Sequence, residues 1–206
     1  MRDHFRRNPA TAGYLSAVAV LALLTRFVFA DGMSAQVRES LSTNTDNLGH
    51  HPVNALLGSA FVLDTAGDGV IRTGLALVAV ALCLGALERE VGSWRASAVA
   101  LAGHVGAALV AALAVSSGAY PGDLSDVVDV GPGYVALAAA GSTTVLAPAV
   151  LRLPWVALLV AYPLAGARWF GVVPEFAAVG HVAAVLIGLC AGAFAVRRAY
   201  VAVGRL

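Results

Sequence analysis

Residues 175–194 read EFAAVGHVAAVLIGLCAGAF. After Glu175 the only acidic or basic side chain in this stretch is His181. A hydrocarbon core about 30 Å thick takes roughly 20 mainly apolar residues as a helix rising about 1.5 Å per residue. The stretch therefore predicts a transmembrane helix, over about 175–196. Gly180, Ala184, Gly188 and Gly192 recur every four residues and share one helix face. In a bilayer, lipid is as apolar as leucine, so helices associate by close packing where small residues let backbones approach. His181 sits beside that stripe. An ionisable group inside a span is a functional candidate by default. The other reading is a neutral imidazole hydrogen-bonded to a neighbouring helix.

The rest of the chain supplies partners for this helix. It has 206 residues, 59% of them hydrophobic and 12% charged, with a mean hydropathy of +0.82. A soluble domain of that size needs more polar surface. Five further spans are predicted, at about 12–29, 71–88, 94–115, 131–149 and 151–167, giving an all-α, six-helix polytopic protein in one domain over 1–206. Gly133, Ala136, Ala140 and Gly141 make the fourth span the best match for the small stripe of the sixth. The second and third spans are joined by EREVGSWR (88–95), read as a charged hairpin. Pro148 and Pro154 are read as bracketing the turn between the fourth and fifth. Within the long first connection, VNALLGSAFVL (53–63) is too short to span and is expected at the interface or re-entering the outer leaflet.

All 13 basic residues are arginines. With the N-terminus inside, Arg2, Arg6, Arg7, Arg89, Arg95, Arg152, Arg197, Arg198 and Arg205 fall on the cytoplasmic side and Arg38 and Arg168 outside. That bias predicts a multi-pass cell-membrane protein with both termini cytoplasmic. The basic start followed by an apolar run resembles a signal peptide. The run is long and broken by Arg26, so it is read as a retained first helix. No basic block points to nucleic acid. Cys83 and Cys190 lie in separate apolar segments and are read as packing residues, without disulfide or metal. His50, His51, Asp64 and Asp68 are weighed as a metal site and set aside, since adjacent histidines are poor ligand spacing. No cofactor is expected.

Four segments in order resemble rhomboids, the intramembrane serine proteases: GSAFVLD (58–64), LGALEREVGSWR (84–95), GPGYVALAAAG (131–141) and GHVAAVLIGLCAG (180–192). The stretch from Ser42 to Asp64 also resembles a divergent bacterial branch of rhomboid-like membrane proteins. The resemblance implies a rhomboid-like bundle. In the proteases a fourth-helix serine attacks the peptide carbonyl and a sixth-helix histidine takes its proton. Those positions are Gly133 and His181 in this sequence. The second-helix histidine and asparagine near the oxyanion correspond to Arg72 and Ala76. The resemblance therefore implies a degenerate site. Ser142 lies nine residues along the same helix from Gly133, about 13 Å deeper. Tyr134 points about 100° round from Gly133, and Ser125 lies in the third loop.

The leading reading is a non-catalytic rhomboid-like protein that sits in the lipid bilayer and binds transmembrane helices of other proteins. The alternatives are an intramembrane protease with another nucleophile, or a small transporter. A transporter calls for polar groups distributed through several spans. Only Arg26, His104 and His181 offer themselves. His104 stands in GHVG (103–106), much like GHVA around His181, and is read as local bias in composition.

Overall fold

Among the described residues the fold is all-α apart from one short hairpin. The computed structural model describes residues 7–28, 33–63, 69–122, 124, 127–202 and 204. Helix α1 (Pro9–Phe27) is followed by three short helices, α2 (Met33–Ser40), α3 (Thr45–His50) and α4 (Pro52–Gly58). Then come α5 (Gly69–Val91), α6 (Ser93–Ser116), α7 (Gly133–Thr143) and α8 (Ala149–Ala165). Strands β1 (Trp169–Phe170) and β2 (Val173–Pro174) pair antiparallel before α9 (Phe176–Ala202). Among the described residues, α1, α5, α6 and α9 are long and apolar enough to cross a bilayer. Helix α8, at 17 residues, is shorter.

Helix α7 occupies the fourth predicted span but has only 11 residues. From Tyr134 to Ser142 every one of its side chains is buried. It is a central post packed against α5, α6 and α9. The expected span of 131–149 is too long because the chain leaves the helix at Thr144 and turns over Thr144–Ala147, which is half-buried. Irregular backbone is tolerated there only if its polar groups find partners. The Trp155 indole donates to the Ala140 carbonyl at 3.1 Å, and Arg152 reaches the carbonyls of Ala147 and Val145. The turn ends at Pro148. Pro154, expected to bracket it, lies inside α8. Proline in a membrane helix forfeits one backbone bond, a loss that neighbouring groups offset.

The expected stripe packing is present. A Cβ placed on Gly188 would run into the Ala138 backbone. One on Gly192 would lie 2.6 Å from Ser142 Cβ, and one on Gly180 2.5 Å from the Tyr134 hydroxyl. On α7 the matching face is therefore Tyr134, Ala138, Gly141 and Ser142, with Gly141 set against the Val185 backbone. The expected face had Ala136 and Ala140 in it. Ala136 packs in the cluster with Val80, Leu84 and Leu87 of α5, and Ala140 in one that joins Ala107, Ala108 and Leu159 to Ala184 and Val185 of α9. Gly103 of α6 also meets Ala138, so three helices converge on one alanine.

The link between α5 and α6 is a single residue, Gly92, at φ +82, a conformation glycine adopts without strain. The charged hairpin expected at 88–95 is thus mostly helix, and Glu88 is no surface charge. It is 3% exposed. Its carboxylate accepts from the backbone N–H groups of Ala10 and Thr11 and from the hydroxyls of Thr11 and Ser93, at 2.7–2.9 Å. Asn8 gives α1 no side-chain cap, so Glu88 from another helix satisfies its first amides. A carboxylate there is also favoured by the positive end of the helix dipole.

The first connection packs against the bundle. Pro52 opens α4, and Asn44 caps α3 by accepting from the Asn47 amide. The single turn Ser59–Phe61 follows α4, with Ser59 and Ala60 buried. The Tyr14 hydroxyl donates to the Ala60 carbonyl at 2.6 Å.

Candidate functional site

Helix α7 begins where two outer segments are sewn together. The Asp129 amide donates to Ser42 Oγ at 2.8 Å, and the Thr43 amide donates to the Asp129 carbonyl at 3.0 Å. The Asp129 carboxylate accepts from Thr43 Oγ1 at 3.1 Å and from the Tyr134 hydroxyl at 2.8 Å, both on Oδ2. Burial pushes this carboxyl above the ordinary carboxylate range, against the two hydroxyl donors that favour the charged form. Gly131, at φ +126, donates its amide to the Ser59 carbonyl at 2.9 Å. Pro132 and Gly133 then open the helix.

These segments line a partly open cavity of about 50 Å³ beside Gly133. Thr43, Ser59, His104, Asp129, Tyr134 and His181 supply its polar lining. A cavity needs about 10–15 Å³ on this measure to hold one water, so this one has room for a few waters or a molecule of a few heavy atoms.

Gly133 and His181 meet across it. A Cβ on Gly133 would lie 2.7 Å from His181 Nε2. The imidazole stands edge-on to the Tyr134 ring, with centroids 4.9 Å apart, and is set against the Ala177 backbone. Tyr134, only one residue from Gly133, is thus in contact with His181. Its hydroxyl is committed to Asp129 and its ring alone meets the imidazole. Arg72 and Ala76, the two α5 positions, do not line the cavity. Arg72 is exposed, and Ala76 packs against the core. Ser142 is buried near the far end of α7, donating to the Ala139 carbonyl at 2.7 Å. Ser125 lies outside the described residues, as do Asp64 and Asp68. His50 is exposed on α3 against the Asp46 carbonyl, and His51 precedes α4. Among the described residues no three metal-ligating side chains cluster.

The cavity also brings in Ser59, Thr43 and Asp129, which no motif singles out, and His104, which the sequence offers only as local bias. His104 of α6 is 2% exposed and Ser59 is 1% exposed, and Ser59 Oγ lies 3.0 Å from His104 Nε2. His104 also flanks Tyr134, with ring centroids 6.0 Å apart. Its local signal is the repeated GHV, but only the packing of α4, α6 and α7 shows that it faces the cavity.

No curated protein and no solved structure gives a significant match to the chain. A family model described as rhomboid-like protein matches residues 3–200, nearly the whole length. With its all-α bundle and apolar helices of spanning length, the chain belongs to the rhomboid-like protein family.

Proposed function

We propose that this chain is a rhomboid-like membrane protein that binds transmembrane segments of other proteins and is not a protease, its Gly133–His181 pair being unable to cut them. One observation carries the reading. Glycine stands where the resemblance places the nucleophile, and His181 Nε2 fills the space a side chain there would enter. A nucleophile and its base must lie within hydrogen-bond reach, and glycine brings no hydroxyl. Arg72 and Ala76 do not line the cavity, although the Arg72 charge is felt at His181.

Apolar surface supports binding. Ile71, Leu75, Val78 and Leu82 of α5 are exposed, as are Leu151, Leu158 and Tyr162 of α8. Such faces pack against lipid or another helix. The arginine bias favours the cell membrane with both termini in the cytoplasm. Photo-crosslinkers at Leu75 and Leu158 in native membranes should capture discrete membrane proteins, intact. Cleavage of a transmembrane substrate by the purified protein, lost in His181→Ala, would overturn the proposal.

A further inference from the structure

We infer that Ser59 and His104 form an activated nucleophile, distinct from the Gly133–His181 pair, that accepts a small acyl group inside the cavity. The inference goes beyond the binding role and does not depend on it.

Geometry carries it. Ser59 Oγ and His104 Nε2 are 3.0 Å apart and line the same cavity. A neutral imidazole holds its proton on one nitrogen and offers a lone pair on the other. His104 Nδ1 has no hydrogen bond of full geometry, and the Leu56 backbone is the polar group set beside the ring. A proton on Nδ1, directed there, leaves Nε2 free to receive the Ser59 proton. Gly131 fixes the Ser59 backbone by donating to its carbonyl. The same bond holds Ser59 beside the start of α7. The first amide of that helix region to find a helical acceptor is Ala136, bonded to the Pro132 carbonyl. The amides of Gly133 and Tyr134 come before it, and both residues line the cavity. Such amides stabilise an oxyanion where one forms. Nucleophile and base thus line one space with the first residues of α7.

The step balances simply. Ser59 Oγ bonds to the carbonyl carbon of a small ester or thioester as its proton passes to His104 Nε2. The bond from that carbon to the departing alcohol or thiol breaks, and the leaving group takes the proton from His104. The volume restricts the acyl group to a few heavy atoms.

Methanesulfonyl fluoride is a small probe of the same chemistry: the serine oxygen bonds to sulfur and fluoride leaves. The purified full-length protein should form one adduct, mapped to Ser59 by peptide mass spectrometry. Ser59→Ala should abolish it, His104→Gln should slow it by about 10²-fold, and Ser97→Ala should leave it unchanged. Because His104→Gln removes a buried contact, Ser59→Cys gives an independent readout. Paired with an imidazole, that thiol should react with iodoacetamide well below the ordinary thiol range near pH 8.5. No adduct on the folded protein, an adduct on another serine, a rate indifferent to His104→Gln, or a thiol with an ordinary pH profile would each overturn the inference. Client crosslinking is read in membranes without probe, so either proposal can fail alone.

Discussion

At Gly133 the absence of a side chain is matched by the position of a ring. A Cβ there would lie 2.7 Å from His181 Nε2, so any larger residue must displace an imidazole already packed on Tyr134. Gly133→Ser should therefore lower stability by about 1–3 kcal/mol. In a His181→Ala background most of that loss should vanish, a non-additivity that a double-mutant cycle of melting midpoints measures. Asp129 makes a second residue-scale prediction. Its carboxyl is held above its ordinary pKa chiefly by burial, so the folded state binds a proton that the unfolded state releases. The penalty is absent below the unfolded pKa of about 4 and grows as pH rises through the raised folded value. Wild type should gain stability on acidification across that window. Asp129→Asn should lack this component, and the difference between the two curves separates the carboxyl from the two histidines.

Among the elements, α7 and α9 approach through glycine, and α1 is anchored through one carboxylate. Gly188→Leu drives a side chain into the Ala138 backbone, whereas Leu186→Ala trims an exposed one. The first should lower the melting midpoint in detergent far more than the second; equal midpoints would reduce the stripe to mere composition. Glu88→Ala leaves the Ala10 and Thr11 amides and two hydroxyls without their acceptor at a buried site. The expected loss is about 3 kcal/mol. Glu88→Gln keeps the shape and one acceptor oxygen and should fall between. The measurement is denaturant unfolding in mixed micelles, with faster proteolysis near residue 9 as a local readout.

For the whole molecule, cysteines placed at Thr45 and Gly122 should react with impermeant reagents from outside the cell, and cysteines at the termini only from within. The reverse pattern would reject the arginine-based orientation. The sequence by itself determined the class of protein: apolar stretches of span length, arginines unequally shared between loops, and a four-residue spacing of small side chains. These properties are local, and a bilayer reads them one segment at a time. It also singled out Gly133 and His181, because their motifs are contiguous. Tertiary structure alone decided the rest. Whether Glu88 is a loop charge or the cap of α1, which face of α7 meets α9, and where α7 ends all depend on groups distant in the chain. The pairing of Ser59 with His104, 45 residues apart, is of the same kind. Periodicity says which side of a helix is small or polar. Only the packing of other helices around it says what that side meets, because a buried polar group in this bundle must find its partner wherever the fold brings one.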